Sequence, residues 1–216
     1  MGYILNIHTA TETAIINLTA GDKILGTLCN YETKRHASFL HIAIKELLDQ
    51  HKISVKELNA IGISLGPGSY TGIRVGLATA KGLCYALKIP LITYSSLELM
   101  AISASNSAKD INAFYCPMID ARRMEVYTAI YDYHLQEIMS PSALIINETS
   151  FAEVLKEHTI YFSGSGSVKF RGLVKSANAI FMDEELSSIS LAKIAWQKFR
   201  EKKFENVAYA QPLYMK

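Results

Sequence analysis

Ser64-Leu65-Gly66-Pro67-Gly68-Ser69-Tyr70-Thr71-Gly72-Ile73-Arg74 is the stretch on which the reading of this 216-residue chain turns. Ile61 to Leu65 before it reads as a short buried strand. From Ser69 to Lys88 after it, apolar and small residues recur at helical spacing. Glycines therefore stand where a strand turns sharply into a helix, with Ser69 placed to cap that helix. A helix start has unpaired N–H groups and a partial positive charge, so Gly66, Gly68 and Ser69 are candidates to hold an anion or a partner loop. The competing reading is a tight turn whose glycines serve close packing. Two well-known glycine loops are excluded. No Gly-Lys pair exists for a phosphate-binding loop, and Thr71 stands where a dinucleotide fingerprint needs its third glycine.

Around that stretch the chain divides into two similar series. Residues 3–8, 12–19 and 22–29 are β-rich runs of an opening meander. A helix is expected over 34–50, where Phe39, Leu40, Ile44, Leu47 and Leu48 recur at helical spacing. A short helix is expected from Ser54, with Glu57 completing a capping box. Strand 60–65, the glycine loop, helix 69–88 and strand 89–94 follow. The second half repeats the order: strands 114–119 and 125–132, a weaker run near 136–146, a helix near 150–157, strand 159–163, and a glycine turn at Gly164 and Gly166. A last helix is expected over 190–203. This predicts an α/β protein of two lobes, residues 1–100 and 101–216, with Ser103 to Ala108 as the linker.

Half the residues are hydrophobic, 19% are charged and the net charge is +2, which suits a globular protein and makes no electrostatic case for nucleic acid. Three scattered cysteines, no signal-peptide pattern and no long apolar run lead to the expectation of a cytoplasmic protein with reduced thiols and no membrane contact.

The segment Gly66 to Arg74, continuing through Val75 to Leu83, resembles the signature of the TsaB (YeaZ) family. Ile7-His8-Thr9-Ala10-Thr11, Ile119-Asp120-Ala121-Arg122 with Glu125-Val126-Tyr127, and Gln211-Pro212-Leu213-Tyr214 extend the likeness along most of the chain. The resemblance implies two lobes of the actin and sugar-kinase (ribonuclease H-like) type, each a mixed sheet with helices. It implies a part in making threonylcarbamoyladenosine beside the tRNA anticodon, as a non-catalytic partner of a TsaD-type paralogue working with a TsaE-type ATPase. The chain is expected to contact tRNA only indirectly and to form a homodimer when alone. The alternative is a stand-alone actin-fold ATPase or a glycoprotease-like metallopeptidase.

In the implied nucleotide cleft, Gly66, Gly68, Ser69, Asp120, Gly164 and Gly166 are the candidate cofactor-binding residues. No tightly bound cofactor is expected, ATP or ADP belonging at the interface of the complex. The family carries Asp where this chain has His8, and neutral imidazole is a poor ligand for Mg²⁺. Asp120 is retained, with Arg122 and Arg123 beside it to pair with. His36 and His41 are five residues apart, about 140° around a helix, so no shared metal is expected. No peptidase constellation is expected either. Phe39, Ile44, Leu47, Gly72 and Gly76 are the candidate partner interface, the two glycines forming a one-turn helix-packing seam.

Overall fold

β1 (Tyr3–His8), β2 (Ala14–Ala20) and β3 (Lys23–Asn30) form the expected antiparallel meander. β4 (Leu58–Ser64) adds parallel to β1, and β5 (Leu91–Tyr94) parallel to β4, giving the order β3-β2-β1-β4-β5. The second sheet repeats this arrangement. β6 (Phe114–Asp120), β7 (Glu125–Tyr131) and β8 (Glu137–Ile145) run antiparallel. β9 (Ile160–Ser163) and β10 (Ala179–Phe181) then add parallel, in the order β10-β9-β6-β7-β8. The structure, a computed structural model, describes residues 2–32, 36–183 and 186–215.

The first unit comprises the chain to Ser96 together with Ser188–Leu213. Strand alternation sends Leu5, Ile7, Ile16, Leu18, Ile61 and Ile63 to one face. There they form a core with α1 (His36–Gln50) and α2 (Tyr70–Leu87). α1 contributes Leu40, Ala43, Ile44, Leu47 and Leu48, the spacing that marked it in the sequence; residues 34 and 35 of the expected helix lie outside the described residues. α2 begins at the Ser69 cap, whose side chain accepts the Gly72 N–H. It ends on Lys88 in the left-handed conformation. The helix expected from Ser54 is a single 3₁₀ turn, Val55–Glu57, in which the Glu57 carboxylate accepts from Ser54 N at 2.7 Å. The other sheet face carries Ile4, Asn6 and His8 and takes α6 (Ser188–Arg200), which packs on β1, β2, β3 and β5.

The second unit, Leu97–Ser187 with the last residues of the chain, has two apolar layers on its sheet. One holds Cys116, Met118, Val126, Phe162 and Phe170. The other joins Leu97, Met100 and Ala101 of α3 (Ser96–Ala108) to Tyr115, Ala129 and Tyr131. α4 (Ala152–Glu157) and α5 (Ser167–Arg171) complete it.

Three expectations change. Residues 103–108 are not a linker but the end of α3: Ser103 Oγ and Asn106 Nδ2 donate to the carbonyls of Leu99 and Ile102, so polar residues sit inside a helix. The lobes do not divide at 100/101. The boundary lies at Ser96/Leu97, and α6 with the segment after it returns to the first unit because Leu191, Ala192, Ile194 and Ala195 bury against the first sheet. The last helix also stops at Arg200 rather than running to 203. The weak run near 136–146 is an edge strand, β8, that tolerates Pro141 and is buried only in part.

Candidate functional site

The glycine loop is closed down onto its own unit. Ser69 N donates to Ala10 O at 2.7 Å, and the Thr9 hydroxyl donates to Gly72 O at 2.7 Å. Gly68, at φ +149°, has room for no Cβ, since one would stand 1.9 Å from Ala10 O. A Cβ on Gly72 would stand 1.9 Å from Thr9 O. Gly66, at φ +105°, accepts from Ser96 N at 2.8 Å. The glycines thus let the start of α2 lie on the β1–β2 turn, which is the packing reading. Of the backbone donors expected to form a cradle there, the Ser69 N–H is already taken by the Ala10 carbonyl.

Ser64 supplies a motif that the expectation of no peptidase constellation passed over. Gly62-Ile63-Ser64-Leu65-Gly66 fits the Gly-x-Ser-x-Gly pattern of a nucleophile elbow, and the strand–turn–helix context is right. Ser64 is nevertheless fully buried, and its hydroxyl partner is Ser96 Oγ at 2.7 Å rather than an imidazole. A serine so placed lacks both the exposure and the base that a nucleophile needs.

His8 ends β1 with no exposed surface. One ring nitrogen, Nε2, lies 2.8 Å from Thr11 Oγ1, while Nδ1 meets no protein partner among the described residues. Burial, with a smaller push from His36, lowers its pKa to about 3, so the ring is neutral across the physiological range. A neutral imidazole in a dry pocket does not fit the carboxylate role of a Mg²⁺ site. His36 is buried with Nε2 3.2 Å from Thr11 O, whereas His41 is exposed on the far side of α1. Among the described residues no cluster of three or more metal-ligating side chains exists.

In the second unit, Asp120 is held, but not by the arginine side chains expected. Its Oδ1 accepts from Lys169 Nζ at 2.5 Å and from the Arg122 backbone N–H at 2.6 Å. Desolvation pushes its pKa up, and the Lys169 hydrogen bond, the Arg122 N–H and the lysine charge outweigh it and bring the pKa down. Gly164, at φ +85°, and Gly166 form a tight turn on β6. A Cβ on Gly164 would stand 2.5 Å from Met118 O, and one on Gly166 2.9 Å from Met118 Cβ. They too are packing glycines.

Most residues of the expected partner face are internal to the first unit. Gly72 and Gly76 point inward, a Cβ on Gly76 meeting the Thr9 hydroxyl at 2.4 Å. Leu47 is core, and Phe39 packs against that core. Only Ile44 of the five expected residues also lines the open groove between α1 and α2. That groove, about 760 Å³, is bordered by His41, Lys45 and Leu48 on α1 and by Ala78, Thr79, Gly82 and Leu83 on α2. Gly82 is the informative residue, because a Cβ there would meet nothing within 4 Å. The helical spacing of Ala78, Gly82 and the adjoining Thr79 was available in the sequence, but the direction of α2 was not.

Comparison with known proteins agrees with this architecture. The profile of the family described as TsaD: tRNA N6-adenosine threonylcarbamoyltransferase matches residues 22–212. The chain is 29% identical over 224 aligned positions to the tRNA threonylcarbamoyladenosine biosynthesis protein TsaB of Escherichia coli, covering 99% of this chain and 94% of that protein. The Bacillus subtilis protein of the same name is 32% identical, over 71% of this chain and 66% of its own length. The chain belongs to the TsaB (YeaZ) branch of this family. A solved Pseudomonas aeruginosa structure, described as an uncharacterized protein with similarity to peptidase YEAZ, superposes with TM-score 0.88 over the whole of both chains at 22% identity. It thereby supports the fold. Each of the two units is a five-stranded mixed sheet of the same strand arrangement with helices packed on it, and the family's part in tRNA threonylcarbamoyladenosine synthesis is this chain's functional setting. No helix among the described residues is long and apolar enough to cross a membrane.

Proposed function

We propose that this TsaB-type chain is a non-catalytic subunit that docks a TsaD-type paralogue through the groove between α1 and α2. In that complex it supports transfer of threonylcarbamoyl to the tRNA adenosine beside the anticodon, in the cytoplasm and together with a TsaE-type ATPase. The observation that carries the reading is Gly82. A helix-interior glycine costs about 1 kcal/mol against alanine, and among the described residues nothing lies within 4 Å of where a Cβ would stand at Gly82. The position is explained by a helix from outside lying close along α2. The same groove takes a second copy when the paralogue is absent, giving a homodimer. The tRNA is then met mainly by the paralogue.

The chemistry points the same way. His8 is neutral and buried, Asp120 is already paired, and Ser64 is bonded to another serine, so none of these three candidates is poised as base, nucleophile or metal ligand. Nucleotide bound to this chain by itself is therefore weak, and any ATP or ADP belongs to the assembled complex. Reconstitution tests the reading. Purified TsaD-type and TsaE-type proteins, supplied with tRNA, threonine, bicarbonate, ATP and the enzyme that makes the adenylate, should modify tRNA only when this chain is added. The chain alone should hydrolyse neither ATP nor peptide. Modification at full rate without it would refute the proposal.

A further inference from the structure

The actin-like arrangement implies a divalent cation beside the acidic residue at the end of the first strand of the second unit, and the residues present do not fit one. Lys169 Nζ donates to Asp120 Oδ1 at 2.5 Å and to the Glu125 carbonyl at 3.4 Å. A carboxylate oxygen and a backbone carbonyl are the hard donors that a small cation would take, and here they converge on an ammonium.

This is not a mobile surface lysine that happens to lie near an acid. Its side chain is 19% exposed while that of Asp120 is 41% exposed. The neighbouring Phe170 is fully buried, with its ring centroid 5.0 Å from that of Phe162. The turn that leads into α5 is tied to β6 twice. Gly166 N donates to Met118 O at 3.0 Å, and Ser165 Oγ accepts from Asp120 N at 3.2 Å. Ser167 Oγ then closes the turn on Gly164 O at 2.7 Å. Gly164 and Gly166 are needed for that close seat, so the second glycine turn serves to aim Lys169.

We propose that the Lys169 ammonium is a built-in counter-ion that takes the cation position of Asp120, so that this unit accepts a divalent metal only once the lysine charge is removed. A tethered group acts at an effective concentration in the millimolar range or above, and a metal that displaced it would be left beside a like charge. The inference stands apart from the partner reading, since it concerns one unit and needs no complex.

The test uses the full chain and Mn²⁺ as probe, read by paramagnetic broadening of the backbone amide signals of residues 120 to 125. In the natural chain millimolar Mn²⁺ should leave those signals sharp. Lys169→Met, or Lys169→Gln if the methionine variant does not fold, should bind Mn²⁺ about tenfold tighter at this spot, an effect of about one pKa-unit equivalent. Adding Asp120→Asn should abolish the gain, and Lys169→Arg, which keeps a cation, should show none. Selective broadening around Asp120 in the natural chain would overturn the proposal. So would a folded Lys169→Met or Lys169→Gln chain that gains no Mn²⁺ binding.

Discussion

Along α2 the glycines face two ways. Gly72 and Gly76 lie over β1 and β4, where a Cβ would stand 1.9 Å from Thr9 O and 2.4 Å from the Thr9 hydroxyl. Gly82, six residues beyond Gly76, lies over open groove. In sequence Gly72 and Gly76 read as a helix-packing seam and Gly82 was not part of it. In the fold they differ: Gly72 and Gly76 let α2 approach the chain's own backbone and side chains, while Gly82 borders open space, which the proposed function assigns to a partner helix. A glycine whose cost is recovered inside the molecule speaks of folding. One whose cost is not recovered there speaks of a partner.

The comparison is broken most directly by filling each side. Gly72→Ala or Gly76→Leu should destabilise the chain by roughly 3 kcal/mol or more, because the added carbon meets backbone or tightly held side chain that cannot move aside. Denaturant unfolding would show it, and a midpoint near that of the natural chain would mean the seam is not internal.

The second test concerns the turn on which that seam rests. His8 is adjacent to Thr9, and its folded pKa of about 3 lies below the unfolded value near 6.5. Between those two values the unfolded chain binds a proton that the folded chain does not. His8 therefore costs no stability above about pH 6.5 and takes stability away as pH falls toward 3, by up to about 1.4 kcal/mol per pH unit. His8→Gln should flatten that slope in urea unfolding run across the acid range. An unchanged slope would place the acid sensitivity in other groups.

The smallest effect belongs to the outer glycine. Gly82→Ala should stabilise the isolated chain by about 0.5–1 kcal/mol, since alanine adds helix propensity and meets no atom within 4 Å. A loss of stability would show that Gly82 serves internal packing after all.

Much of the architecture was legible in local pattern. The meander β1 to β3, the apolar stripe of α1 and the strand–glycine–helix passage from β4 to α2 are each set by near neighbours, and they appear within a few residues of expectation. The parts that were not legible depend on contacts far away in sequence. α3 ends in Ser103, Ser105 and Asn106, which read as a linker until their side chains are seen to donate back to helix carbonyls. α6 returns to the first unit because its apolar face fits a sheet formed well over a hundred residues earlier. At the candidate site the residue types were visible but their directions were not. Asp120 was read either as part of a nucleotide or metal site or as paired with the arginines next to it, and its side-chain partner is Lys169, almost fifty residues on. Gly72 and Gly76 were expected to face a partner and face the sheet, while Gly82 was passed over.

The central claim is that the groove over Gly82 is where the TsaD-type paralogue docks. Gly82→Leu adds volume to that groove from a position where a Cβ meets nothing within 4 Å, so the variant should keep the circular dichroism of the natural chain and unfold at the same midpoint or a higher one. It should at the same time lose capture by the paralogue in a pull-down at least tenfold, as added volume does in a close-packed interface. A folded Gly82→Leu chain that binds the paralogue as well as the natural one would contradict the account.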